Sequence, residues 1–529
     1  MEQVQRKKLI SAAAIVMTSM VLSRITGFLR SALIPNTMTK MNSDALFAAF
    51  KMTDIMYNLL IGGAIAAALI PILSGYIVKR DEEEGWKAVG TFINVTFVLM
   101  VFVSVLGVIF APFIINITAP WLDPSTKTLA VKLARILFPS VSFIMLAGLC
   151  NGVLNSYQRF AAAAYGPSIY NTGTVLSIIL LKGFGVQGIV VGIMCSAFIY
   201  FIFQLSFAIK NMGYYSFKIY LKHPGFIRLI KLAIPSLAAS SITQVNAVIS
   251  QVYTSRFKSG SITSFSNAND TWQLPFGIFA MGLGTAILPT MSEKLALGEM
   301  NAFKSIMSKG FKIVLLLVIP SGAALIVLRR EVISAIFKWS RHYDISRIVQ
   351  TSNILTYFSI ALLSASILAI LNRAFYANND TKTPLYVGTI TIILNAFLCY
   401  LFYQTTNLEV AGMSFAYSIA SMVNMIALII IMNKKVNGID IPKLLKYALK
   451  VFAAAAAMGA VLFIMQKIIP INSMRVFSIK NKLFELMALG IEIVVGLGVY
   501  FGIVVALRLE EAVFAYKTIV PRLLKFIKK

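Results

Sequence analysis

The chain has 529 residues, of which 58% are hydrophobic and only 13% charged, and its formal net charge is +28. This composition excludes a soluble globular protein and makes lipid the solvent of the fold. A charge of that size would suggest nucleic acid in a soluble protein. Here the basic residues sit in short stretches between long apolar runs, which is membrane topology, and no nucleic-acid partner is expected.

Each apolar run is long enough, at roughly 20 residues or more, to cross a bilayer. The first, Leu9 to Ile34 behind Arg6, Lys7 and Lys8, exceeds a signal-peptide core of about 7 to 15 residues and is expected to be an uncleaved first helix. Further spans are predicted over 44–77, 89–116, 128–157, 162–183 and 186–209, completing a group of six. A basic, aromatic connector, Lys210 to Lys222, precedes spans at 225–254, 262–292, 310–337, 349–376, 383–403 and 409–432. A last pair covers 446–469 and 483–507. The expected class is an all-α integral membrane protein of about fourteen transmembrane helices.

Long-range repetition organises these spans. Gly62 to Ser74 aligns with Ala280 to Ser292, with small residues, proline and serine in register. Leu154, Asn155 and Pro167 match Leu371, Asn372 and Pro384, and Val186-Gln187-Gly188 matches Val410-Ala411-Gly412. Correspondences in the same order imply two six-helix bundles as parallel repeats around a central cavity. The predicted division is an N-terminal lobe at 1–210, a cytoplasmic connector at 211–224, a C-terminal lobe at 225–433, a helix pair at 434–508 and a basic amphipathic tail at 509–529. Pro71, Pro139, Pro235, Pro275, Pro289 and Pro320 each remove a backbone hydrogen bond inside a span and favour kinks.

The chemistry-bearing residues are few. Cys150, Cys195 and Cys399 lie in apolar runs without paired spacing and are expected to be buried small hydrophobes. His223 and His342 have no ligand-spaced partner, so no catalytic metal or cofactor is expected. An ionisable group at membrane depth costs roughly 2.5 to 3.5 kcal/mol on insertion scales, which makes each one a functional candidate. The first two spans concentrate them. Arg24 lies ~22 Å along the first helix from Leu9, past the midplane, with Arg30 nearer the far interface and Gly27 between them. In the second span Asp44, Lys51, Asp54 and Asn58 are spaced to share one helix face. Lys51 and Asp54, three residues apart, are also placed to pair with each other. Ser266, Asp270 and Gln273 repeat the device in the second bundle, and Gln244, Asn246 and Gln251 add polar groups from the span before it.

Ser23-Arg24-Ile25-Thr26-Gly27-Phe28-Leu29-Arg30, then Ser43 to Lys51, then Gly62 to Pro71, resemble the N-terminal signature of the MurJ/MviN lipid II flippases. These belong to the multidrug/oligosaccharidyl-lipid/polysaccharide (MOP) exporter superfamily. Pro275-Phe276-Gly277, Leu283 to Pro289, Phe375-Tyr376-Ala377 and Asp380 to Pro384 extend the similarity over the first twelve spans. The resemblance implies a flippase in the bacterial cytoplasmic membrane that translocates undecaprenyl-diphosphate-linked peptidoglycan precursor by alternating access, with the last two helices forming a groove for the lipid tail. It implies substrate contacts at Arg24 and Arg30 and polar cavity positions at Asp44 and Lys51. The chemistry agrees, because guanidinium forks bind phosphate oxygens through charge-assisted bonds. The chain departs from the family pattern at Tyr57-Asn58 and at Asp270, where arginine often stands, so Arg256 or Lys51 is expected to rebuild the diphosphate clamp. Membrane lipids are expected partners and cell-wall synthesis machinery a further one. The energy source stays open between a coupling ion and the membrane potential.

Two other transport readings stay open: a flippase for capsule or O-antigen units, and a cation-coupled multidrug exporter. A membrane glycosyltransferase is disfavoured by short loops and only 20 acidic residues, so the chain is not expected to be an enzyme. Alternate loops carry unequal charge, with roughly thirty Lys and Arg on one side, about twice the other, which predicts both termini in the cytoplasm. In a cysteine-free background, a cysteine at position 127 should therefore be labelled from the medium of intact cells and one at 222 should not. Labelling at 222 alone would invert the arrangement.

Overall fold

In a computed structural model, the described residues are 19, 22–59, 68–468 and 477–513, and among them the secondary structure is helical with no strand. The chain separates into two compact units, residues 1–263 and 264–529. The first contains α1 (22–37), α2 (Lys40–Leu59), α3 (Ile70–Val78), α4 (Glu82–Thr118), α5 (Pro124–Ser156), α6 (Phe160–Leu181), α7 (Gly185–Ala208) and α8 (Pro224–Thr254). The boundary falls in the first turns of α9 (Ser261–Pro275). The second unit continues with α10 (Gly282–Ala296), α11 (Met300–Val327), α12 (Arg329–Phe337), α13 (Ile345–Ala377), α14 (Lys382–Thr405), α15 (Ala411–Lys435), α16 (Ile441–Ile468) and α17 (Ile479–Ala506).

Ten stretches among the described residues are long and apolar enough to cross a membrane. One of them, Phe160–Asn211, is 52 residues long. At about 1.5 Å per residue that is far more than a ~30 Å hydrocarbon core, and it folds back as α6 and α7 through a 3₁₀ turn at Lys182–Phe184. Lipid replaces water as the outer solvent. Along α4, Phe97, Val98, Phe102, Val105, Ile109 and Phe113 are exposed, whereas Met100, Ser104, Gly107, Ala111 and Ile115 are buried. The buried series repeats every three to four residues and is the seam against α5. Gly107 makes this approach possible, since a Cβ there would sit 2.2 Å from the Phe138 ring. The Ser104 hydroxyl donates to the Phe138 carbonyl at 3.0 Å, and Ser142 donates to the Met100 carbonyl, also at 3.0 Å. In the absence of a hydrophobic drive between helices, small residues and hydroxyl bonds of this kind hold membrane bundles together.

Several predicted spans are divided. The span expected over 44–77 appears as α2 and α3, with 60–67 outside the described residues, so the Gly62-to-Ala67 part of the repeat lies there too. Pro71 falls in the first turn of α3, where its missing N–H costs little. The span expected over 262–292 is α9, a π-helical turn at Phe276–Met281 and α10. The wide turn follows Pro275, which cannot donate to the helix ladder. The span expected over 310–337 breaks at Leu328 into α11 and α12. Arg329 donates to the Ile326 carbonyl at 2.8 Å and Gln466 to the Val327 carbonyl at 3.1 Å, so the carbonyls freed by the break find donors. Cys150 and Cys399 are buried, but Cys195 is exposed on α7, correcting the expectation that all the cysteines are buried.

The connector lies along the start of α4. Asn94 donates to the Ser216 carbonyl at 2.9 Å, the Thr91 hydroxyl accepts from the Tyr220 N–H at 3.0 Å, and the His223 ring meets Glu84 at 2.9 Å. Bonds from Lys87 and His223 hold the Glu84 carboxyl below its ordinary range. Near this end the Tyr157 hydroxyl donates to Glu82 at 2.8 Å and accepts from Trp86 at 3.0 Å, while burial pushes that phenol up to about 12. The far end of the unit holds the 119–123 loop, where Lys127 reaches the Pro120 carbonyl at 3.2 Å.

In the second unit the Asp380-Thr381-Lys382-Thr383-Pro384 motif is a helix cap. Asp380 accepts from the Thr383 N–H at 3.0 Å, from its hydroxyl at 2.7 Å and from Lys435 at 2.7 Å. Burial opposes ionisation, but these bonds outweigh it and hold the Asp380 carboxyl down at about 2. A folded value below the ordinary ~3.9 means that the contribution is complete above pH ~4 and is lost as pH falls through about 2. Asp380→Ala should therefore cost about 1 to 2 kcal/mol at neutral pH, read as a lower thermal midpoint of the purified protein. The difference from wild type should shrink on acidification, and an unchanged midpoint would contradict the capping role.

Candidate functional site

The first unit assembles a cationic group from its first two helices. Gly27 lets α1 lie close to α6, since a Cβ at this position would be 3.3 Å from the Asn171 amide nitrogen. That nitrogen donates to the Ser23 carbonyl at 3.2 Å, and the Ser168 hydroxyl donates to the Ser19 carbonyl at 3.4 Å. With this face of α1 fixed, Arg24 is held exposed, and it has no ion pair or hydrogen bond among the described residues. Arg30, two turns on, is half-buried with its guanidinium 5.6 Å from the centre of the Phe50 ring.

On α2, Ala45, Ala48 and Ala49 are buried, which brings the helix close to its neighbours and leaves the other face for polar groups. Lys51 is half-buried and Asp54 exposed, and both Arg30 and Lys51 lie within electrostatic reach of Asp54. Arg30, Lys51 and Asp54 are thus brought together. Counting Arg24 on α1 with Arg30 and Lys51 gives three cations to the single carboxylate of Asp54, Lys40 and Asp44 lying toward the other end of α2. Such a set retains net positive charge for an anionic ligand after internal compensation.

Asp44 and Arg256 go elsewhere. Asp44 is 2% exposed and accepts from the Gly260 N–H, from the Thr263 N–H at 2.9 Å and from the Thr263 hydroxyl at 2.6 Å. It caps the start of α9, satisfying amide groups that have no partner inside the helix. The guanidinium of Arg256 stacks 3.6 Å from the centre of the Trp121 ring, in the loop between α4 and α5, with Tyr253 at 5.8 Å. Ten residues along α2, about 15 Å, separate Asp44 at this end from Asp54. The described contacts of Arg256 are thus with the aromatic rings of Trp121 and Tyr253. Lys51 is the added cation that the structure does place with Arg30.

The Asn58 and Tyr57 side chains lie outside the described residues. In the second unit Ser266, Asp270 and Gln273 are half-buried along one face of α9. The opposite face carries Trp272, stacked on Phe358 with centroids 5.7 Å apart and 18° between the planes. Gln244 and Asn246 on α8 are half-buried and Gln251 is buried. Sequence reasoning missed a second set of ionisable groups on the last helices. Lys482 and Glu485 are buried and 3.4 Å apart, and Glu492 is fully buried. Spacings of three and seven residues, placing all three on one helix face, were the available signal.

Known proteins share this architecture. A solved structure described as lipid II flippase MurJ in an inward closed conformation is similar over 96% of this chain and 100% of that one, with a TM-score of 0.77 and 23% identity. An inward-facing multidrug resistance MATE transporter of the MOP superfamily is similar over 81% and 98%, with a TM-score of 0.67 and 15% identity. The fold is the one that these two membrane transporters share. A family model described as lipid II flippase MurJ matches residues 38–484. The probable lipid II flippase MurJ of Vibrio cholerae is 29% identical over 422 residues, 77% of this chain and 80% of that protein. The lipid II flippase MurJ of Burkholderia cenocepacia is 24% identical over 453 residues, 83% and 87% of the two chains. The chain belongs to the MurJ family of lipid II flippases, multi-pass proteins of the bacterial inner membrane.

Because Asp44 satisfies two backbone N–H groups at a buried helix start, Asp44→Ala should lower stability by about 3 kcal/mol, counting roughly 1.5 kcal/mol for each lost bond to a charged group. Thermal unfolding of the purified protein should show a clear fall in midpoint, and an unchanged midpoint would contradict the cap.

Proposed function

We propose that this chain is the flippase for lipid II, carrying the undecaprenyl-diphosphate-linked peptidoglycan precursor across the cytoplasmic membrane by presenting it alternately to the two faces. Translocation makes and breaks no covalent bond, so the protein is a transporter and not an enzyme. The observation that carries the reading is Arg24, an exposed guanidinium without a partner among the described residues, on the same helix as Arg30. A diphosphate would supply a countercharge for it, and a planar fork binds two of its oxygens at once.

In this reading Arg24, Arg30 and Lys51 hold the diphosphate, and Asp54 keeps the two nearer cations oriented when the ligand is absent. Asn58, Asp270 and Gln273 are assigned to the polar glycan headgroup, while Asp44 and Arg256 are assigned to positioning helix ends. The lipid tail is assigned to α16 and α17, whose outer faces carry Phe452, Phe463, Phe484, Met487 and Ile491 in exposed positions. Both termini are placed in the cytoplasm on the loop charge, with membrane lipids and the cell-wall synthesis machinery as partners. No cofactor takes part in this scheme.

Removing one partner of a desolvated charged contact typically costs about 2 to 5 kcal/mol, so Arg24→Ala should weaken binding of a polyprenyl diphosphate roughly thirtyfold or more. Arg24→Lys keeps the charge but loses the fork and should also be impaired. Native mass spectrometry of the purified variants with lipid precursor reads both. Equal affinities for wild type and Arg24→Ala would remove Arg24 from the site.

A further inference from the structure

The last helix carries a group that the diphosphate site does not use. Glu492 is 0% exposed, and among the described residues neither carboxylate oxygen has a hydrogen-bond partner. It lies 13 residues into α17, ~20 Å from the start of the helix and therefore deep in the hydrocarbon. The apolar positions Leu483, Phe484, Met487, Ile491 and Val494 face outward, so Glu492 points to the packed side, along with Lys482 and Glu485.

Its charged surroundings can be followed outward. Glu331, at the start of α12, is the ionisable side chain within electrostatic reach of Glu492, and it is also within reach of Glu485, Arg329 and Arg330. Glu485 pairs with Lys482 at 3.4 Å. The Lys482 ammonium donates to the Ser334 carbonyl and lies 5.2 Å from the centre of the Trp339 ring. Lys338 is buried beside them and acts on both Lys482 and Glu485. From α16 the nearby polar group is Gln466, engaged with the Val327 carbonyl; on α11, the Leu316 carbonyl accepts from Tyr500. An ionisable ladder thus runs from the Lys482 end of α17 to the middle of the helix.

An isolated carboxylate transferred to a low-dielectric interior costs far more than a neutral acid does. Among the described residues Glu492 has no donor to support a charge, and the ionisable group within its electrostatic reach is another carboxyl. We propose that Glu492 is a proton-binding site of the transporter, occupied as the neutral acid in this conformation. It exchanges its proton with water through Glu331 and Glu485 toward the end where Lys482 and Lys338 stand. Loading forms one carboxyl O–H bond with a proton from water, and unloading returns that proton to water. The consequence for transport rests on the flippase reading above, whereas the site itself does not.

The test uses the full-length protein in lipid nanodiscs. Dicyclohexylcarbodiimide adds to protonated carboxyls in apolar surroundings, and peptide mass spectrometry locates the adduct. Glu492 should be labelled at mildly acidic pH and lose its labelling at alkaline pH. No adduct, or labelling that does not change with pH, would overturn the proposal. Glu492→Gln, a close mimic of the neutral acid, should keep lipid-precursor binding. In proteoliposomes it should lose the response of precursor translocation to an imposed pH gradient. Retention of that response would also overturn the proposal. If wild type binds no lipid precursor while pH-dependent labelling persists, the flippase reading fails and the proton site stands.

Discussion

Charge inside hydrocarbon is the constraint from which the rest of this structure follows. An ionisable side chain at membrane depth must be neutralised, paired or supplied with a ligand, because water is not there to solvate it. The chain meets that demand in three ways. Asp44 is saturated by the backbone of a helix start, Lys482 by Glu485 and a carbonyl, and Arg30 and Lys51 by their shared proximity to Asp54. Arg24 receives none of these among the described residues, which is why the proposed function gives it an external anion.

Packing makes such economy possible. Where helices touch, the contact residues are small: Gly27 against Asn171, Gly107 against Phe138, and the alanines along α2. Close backbones hold the first two helices against their bundle. Breaks in the helices are local and satisfied. The π turn after Pro275 and the step at Leu328 each disturb the ladder at one place while neighbouring side chains and helix turns take up the freed groups.

Much of the fold was legible because hydropathy reports on the solvent directly. Long apolar runs located the helices to within a few residues in most cases, and the repeat and the Ser23-to-Arg30 segment pointed to the family. The site was legible only in part. Spacing puts Asp44 on the face of Lys51 and Asp54, but it cannot show that Asp44, ten residues before Asp54, stands near the end of α2 where another helix begins, and there Gly260 and Thr263 claim the carboxylate. Charge alone nominates Arg256 and does not show that Trp121 stands 3.6 Å from its guanidinium. Lys482, Glu485 and Glu492 went unnoticed because the helix holding them is apolar on average, and an average hides which face each residue occupies. Cys195 was misplaced for the same reason, since an apolar run in lipid has no obligatory inside.

The identity of the substrate decides between the transport readings. Depleting this protein in cells that depend on it, with the two membrane faces assayed separately, measures this directly. Undecaprenyl-diphosphate-linked peptidoglycan precursor should accumulate on the cytoplasmic face and become scarce on the outer one. An unchanged distribution of that precursor, with another polyprenyl-linked glycan accumulating instead, would contradict the lipid II reading.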